Sequence, residues 1–112
     1  MTLKELQKKV DDWISTIGVR YFNVQTNTLI LNEEVGEFSS LVARVYGEQS
    51  FKKEITKEEQ EKQLKGELAD ILFVVVCLAN QMDIDLEEAI KDSIEKKTKR
   101  DKTRHLINKK LL

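Results

Sequence analysis

A chain of 112 residues with no proline and four glycines lacks the usual punctuation of sheets and long loops, so its composition points to helices. Its charged residues make up 35% of the chain and nearly cancel, to a net charge of −1, which gives no global case for binding nucleic acid. The longest wholly apolar run, Ile71 to Ala79, is less than half of a membrane span, and the lone Cys77 excludes an intrachain disulfide. The expectation is a soluble, cytoplasmic, all-α domain spanning residues 1–112, with no membrane partner and with Cys77 in a packing role.

Thr2-x-x-Glu5 reads as a capping box that opens a first helix ending near Gly18. Leu3, Leu6, Val10, Trp13, Ile14 and Ile17 make one apolar stripe on it, amphipathic in the manner of a surface helix rather than of a signal peptide. That spacing places Trp13 in the core; a nucleobase contact is the alternative reading.

After a short connection, Val19 to Phe22, Asn23 is a suitable cap for a long second helix running to Tyr46. At about 100° per residue, Leu31, Val35, Phe38, Leu41, Val42 and Val45 form an apolar arc. Glu34 projects from inside that arc, Glu37 lies at its edge and Glu33 beyond it. Gly47 terminates the helix, and residues 47–55 read as an exposed loop. Its Lys52 and Lys53 are read first as solvated, with a phosphate-contacting flap as the alternative.

Thr56-x-x-Glu59 caps a third helix that begins polar and becomes wholly apolar after Asp70. Glu67 and Asp70 sit at the transition. After the turn QMDID, Asp85-x-x-Glu88 opens a fourth helix on which Leu86, Ala89, Ile90 and Ile94 are expected to face inward. Beyond Lys96 the chain turns basic: residues 91–110 carry nine Lys or Arg against three acids. A solvated tail is the ordinary fate of such a run, and His105 has no partner in sequence.

The acids on apolar faces are the anomaly. Glu34 and Glu37, like Glu67 and Asp70, are spaced i, i+3, so each pair points one way from its helix. Packing the two helices together would cluster four carboxylates, and two charges ~4 Å apart cost about 4 kcal/mol at an effective dielectric near 20. Such a cluster must be protonated, paired with Lys or Arg, or neutralised by a cation; oxygen donors favour Mg²⁺, Mn²⁺ or Ca²⁺. Surface glutamates on ordinary amphipathic helices are the plain alternative for either pair alone.

Glu33-Glu34-Val35-Gly36-Glu37 followed by Glu67-Leu68-Ala69-Asp70 resembles the EExxE and ExxD motifs of MazG-like nucleotide pyrophosphohydrolases, of the all-α NTP pyrophosphatase superfamily. The stretches YGEQSFK, ELADILFVVVCLANQ, IDLEEAI and KRDKTRH extend the resemblance from about Trp13 to His105. Two departures stand out. The interval between Glu37 and Glu67 is long, at 29 residues, and Lys96-Lys97-Thr98-Lys99-Arg100 lacks the asparagine the family often has before its arginine.

The resemblance implies Mg²⁺-dependent hydrolysis of a nucleoside triphosphate, commonly a deoxynucleotide or a damaged one, to the monophosphate and pyrophosphate. On that basis Glu34, Glu37, Glu67 and Asp70 are the expected metal ligands, and Glu33 the expected base or water-orienting group. Lys96 and Arg100, one turn apart, are expected to reach phosphate oxygens, and Asn80 to hydrogen-bond substrate. One rival is a non-catalytic metal- or nucleotide-binding helical dimer. Another is a structural bundle in which the acids pair with Lys65, Lys97 or Arg100.

A helix that is apolar all round from Ile71 to Ala79 needs neighbours on every side, more than three other helices of so short a chain supply. The expected architecture is therefore a four-helix bundle completed by homo-oligomerisation, most simply a homodimer, and the resemblance implies dimers or tetramers built from dimers.

Overall fold

The computed structural model describes residues 1–112 and is entirely helical. Four α-helices follow in order, α1 (Leu3–Thr16), α2 (Val24–Val45), α3 (Lys57–Gln81) and α4 (Leu86–Asp101), with a short 3₁₀ turn at Lys109–Leu111. No helix is long and apolar enough to cross a membrane.

Each helix starts where a side-chain acceptor meets otherwise unpaired amides. Thr2 and Glu5 form the reciprocal capping box. Asn23 accepts from the Thr26 amide at 2.7 Å, Thr56 from the Glu59 amide at 3.1 Å, and Asp85 from the amides of Glu87 and Glu88. At the far end of α2, Gly47 is required by space, because a Cβ there would lie 2.7 Å from the Ala43 carbonyl oxygen.

Helices α2 and α3 form the principal pairing, and α1 lies on α3. The small core joins Val10 and Ile14 of α1 to Val76 and Cys77 of α3, with Leu6, Tyr21 and Leu86 packed against it. A polar lattice fastens the same junction. Asn80 accepts from Gln7 Nε2 at 3.0 Å and donates to the Gln7 carbonyl at 2.9 Å and the Tyr21 hydroxyl at 3.0 Å. Tyr21 in turn donates to Asp11 at 2.8 Å, and burial together with that carboxylate pushes its pKa up to about 12. Gln7 reaches the α3–α4 turn, accepting from the Leu86 amide at 2.9 Å.

The four helices make the expected all-α fold, with the fourth packed chiefly on α1. The radius of gyration is 17.9 Å, against about 13 Å for a compact chain of this length. Ile90 and Ile94, expected to face inward, are 48% and 58% exposed, because α4 stands off the α2–α3 pair. Leu72, Val75, Leu86 and Ile90 line an apolar groove of about 350 Å³ between α3 and α4. Trp13 also departs from its core assignment: it is 46% exposed, its ring meeting Phe73 edge-on at 5.7 Å. Past α4, Asp101 gathers Arg100 at 2.8 Å and Arg104 at 3.1 Å, with the His105 ring 3.9 Å away. The hydrogen bond from Arg100 and that from Arg104 hold the Asp101 pKa down at about 2.

Candidate active site

The side-chain pairings along α2 and α3 run in opposite senses: Asn27 bonds Gln81 at 2.8 Å, Glu34 meets Asp70 and Glu67, and Arg44 shares a cavity with Gln63. The helices are therefore antiparallel. Because each acidic pair is spaced i, i+3, antiparallel packing sets the pairs face to face midway along both helices. One carboxylate oxygen each from Glu34, Glu67 and Asp70 lies within 4.8 Å of the others. Glu37 stands beside Glu67, whose charge is the first cause of its raised pKa.

Glu34 and Glu67 are half-buried, Asp70 and Glu37 exposed. Burial, then the charges of Glu37, Asp70 and Glu67, hold the Glu34 pKa above its ordinary value. Glu34 Oε2 and Glu67 Oε2 are buried without any hydrogen-bond partner, an arrangement that costs roughly 1–3 kcal/mol or more for each charged group left so. None of the chain's ion pairs involves these four acids, so the structural pairing with Lys65, Lys97 or Arg100 does not form. An all-oxygen, like-charged set with two unpaired buried oxygens has the chemistry of a divalent-cation site.

Two cavities flank the cluster. On the side of Glu34 and Asp70 a cavity of about 470 Å³ is lined mainly by apolar and aromatic groups, including Trp13, Phe22, Phe73 and Cys77. On the side of Glu37 and Glu67 a cavity of about 450 Å³ has Ser40, Arg44 and Gln63 in its wall, with Leu41 and with Phe51 from the α2–α3 loop.

Of the residues expected from sequence, Glu34, Glu67 and Asp70 converge, and Glu37 stands beside Glu67 outside that three-oxygen group. Glu33 is exposed and close enough for its charge to act on Glu37, but it is outside the three-oxygen group. Asn80 has its amide engaged by Gln7 and Tyr21 and lines neither flanking cavity. Lys96 and Arg100 line neither flanking cavity, and Arg100 is paired to Asp101. Lys52 and Lys53 are exposed on the loop beside Phe51. Sequence reasoning passed over Asn27 and Arg44. Both lie seven residues from an acid of the cluster, Asn27 before Glu34 and Arg44 after Glu37, and two turns of helix return to the same face.

The sequence pattern of the MazG nucleotide pyrophosphohydrolase domain matches residues 22–105, from the end of the α1–α2 connection to His105. The chain belongs to the MazG family. Among similar proteins, the uncharacterized protein YpjD of Bacillus subtilis (strain 168) is 40% identical over 103 residues, covering 92% of this chain and 89% of YpjD. The crystal structure of YPJD from Bacillus subtilis superposes with a TM-score of 0.74 at 36% identity, covering 86% of this chain and 94% of that one. A second crystal structure, of the Bacillus-conserved MazG protein, a nucleotide pyrophosphohydrolase, gives a TM-score of 0.70 at 34% identity over 86% of this chain and 88% of that one. MazG membership supports a hydrolase acting on nucleotide phosphoanhydrides, and the acidic centre is the part of this MazG fold whose chemistry suits that work.

Proposed function

We propose that the protein hydrolyses nucleoside triphosphates, deoxynucleoside or non-standard ones in particular, to the monophosphate and pyrophosphate, in cleaning a cytoplasmic nucleotide pool. The observation that carries this reading is the convergence of Glu34, Glu67 and Asp70 within 4.8 Å, with two buried carboxylate oxygens left without partners. Glu34, Glu37, Glu67 and Asp70 would hold Mg²⁺, or Mn²⁺ in its place. A divalent cation supplies charge neutralisation on the polyphosphate and a lowered pKa for an attacking water.

The remaining work falls to the chain. The rings of Trp13 and Phe73 offer an apolar seat for a base next to Glu34 and Asp70. Glu33, outside the three-oxygen group, would orient the water and take its proton. The water oxygen bonds to the α-phosphorus as the bond from that phosphorus to the bridging oxygen breaks, and the pyrophosphate leaves with that oxygen.

Incubation of the purified protein with a panel of triphosphates and Mg²⁺, with separate detection of pyrophosphate and orthophosphate, tests the reading. Stoichiometric pyrophosphate and monophosphate, abolished by chelation, is the expected result. Release of orthophosphate and diphosphate would overturn it, and binding without turnover would favour a non-catalytic nucleotide-binding dimer.

A further inference from the structure

The two cavities that flank the carboxylates differ in the side chains that line them, and the difference gives the site a direction. One is aromatic; the other holds Arg44. Arg44 lies seven residues beyond Glu37, about 10.5 Å along the helix axis at 1.5 Å per residue. Its Nη1 donates to the Ser40 carbonyl at 2.9 Å and also contacts the Ser40 hydroxyl, which holds the guanidinium against the face of α2 that carries Glu37. Although Glu37 and Glu67 line the same cavity, Arg44 forms an ion pair with neither. A half-buried cation two turns from an acidic cluster, bonded only to its own helix, keeps its charge for an anion that the carboxylates themselves would repel.

We infer that Arg44 binds the β- and γ-phosphate oxygens of the substrate, the part that leaves as pyrophosphate, so that a triphosphate lies with its base among Trp13 and Phe73 and its tail toward the α2–α3 loop. The inference rests on the triphosphate reading above and adds to it a polarity and a residue for the leaving group. The opposite orientation would set a polyanion among Trp13, Phe73 and Cys77, an apolar surround that offers charged oxygens little. Arg20, the cation at that aromatic cavity, is exposed and donates to the Tyr21 carbonyl at 2.8 Å, whereas Arg44 is half-buried.

The test is calorimetric titration of inorganic pyrophosphate and of the nucleoside monophosphate, each with Mg²⁺, into the native protein and into Arg44→Ala, Arg44→Lys and Arg20→Ala. Kinetic inhibition constants are measured alongside. Arg44→Ala is expected to weaken pyrophosphate binding roughly ten- to a hundred-fold, the value of a charged hydrogen-bonded contact, while leaving the monophosphate unaffected. Arg44→Lys should recover part of the loss, since lysine keeps the charge and lacks the fork. The Arg44 hydrogen bonds stay within α2, so helical content should hold; if Arg44→Ala lowers it, Arg44→Gln carries the same comparison. Unchanged pyrophosphate affinity in Arg44→Ala, or a loss found in Arg20→Ala instead, would overturn the inference while native turnover leaves the hydrolase reading standing. Absence of any turnover in the native protein would overturn both.

Discussion

Glu34 on α2 and Glu67 on α3 each bury one carboxylate oxygen in the same space, and neither oxygen has a hydrogen-bond partner. The protein has thus folded around a local repulsion, and the repulsion predicts how stability depends on pH. Glu34 and Glu37 have folded-state pKa values above the ordinary 4.5. Their protonated forms favour the fold, a contribution fully present below about 4.5 and lost as pH rises through the raised values. Asp101 acts oppositely: with its pKa lowered from 3.8 to about 2, its contribution is complete above 3.8 and lost only as pH falls through about 2. Between mildly acidic and neutral buffer the acidic cluster therefore sets the slope. Melting temperatures in chelator should fall from pH about 5 to neutrality, and Mg²⁺ should flatten that fall; a metal-free protein that gains stability across this range would contradict the account.

Replacing one charge of the proposed ligand set at constant volume separates function from fold. Glu37→Gln and Asp70→Asn are expected to lower Mg²⁺-dependent turnover by about two orders of magnitude or more, with helical content unchanged. Without metal both should be at least as stable as the native protein, since each relieves like-charge repulsion. Full activity in either variant would remove that residue from the ligand set.

Asn80 can be assigned by a different split. Its amide ties Gln7 and Tyr21 into the α1–α3 junction, so Asn80→Ala should destabilise the fold by about 2–3 kcal/mol through the partners it leaves unpaired. Below its melting range the variant should keep the native KM. A raised KM with unchanged stability would instead restore the substrate contact expected from the sequence.

For assembly we propose that a second copy of the chain covers the groove lined by Leu72, Val75 and Ile90. Seven apolar residues are buried in the isolated chain, a small core for this length. Light scattering should give a mass of at least two chains. Leu72→Glu or Ile90→Glu should release folded monomers, whereas Val76→Glu, at a side chain with 0% exposure, should unfold the chain outright. A well-folded native monomer at micromolar concentration would overturn this proposal.

Local features were readable because local chemistry decides them. The caps at Thr2, Asn23, Thr56 and Asp85 formed as expected, and the i, i+3 spacing of the acids sufficed to bring them together once α2 and α3 paired. What escaped depended on packing at a distance. Gln7 and Asn80 are far apart in the chain and nothing local joins them. Trp13 satisfied a helical stripe as well as any core residue, yet the stripe was wider than the surface α1 covers. Ile90 and Ile94 looked inward because periodicity marks an apolar face without saying whether the same chain covers it. Arg44 was legible in principle, being on the Glu37 face, but a single cation in a chain so rich in charge gives no signal until the wall it lines is seen.

The carboxylates occupy the middles of two long antiparallel helices, while the cavities on either side draw on different connections: Arg20 to Phe22 before α2 at one end, Phe51 after it at the other. On the proposed reading of the two cavities, substrate preference and leaving-group handling can thus diverge independently. Exchanging the segment before α2 between relatives should alter which base is accepted while chelator sensitivity stays fixed. Lengthening the loop after Gly47 should tune product release without shifting Glu37 against Glu67, which the helices alone hold in register.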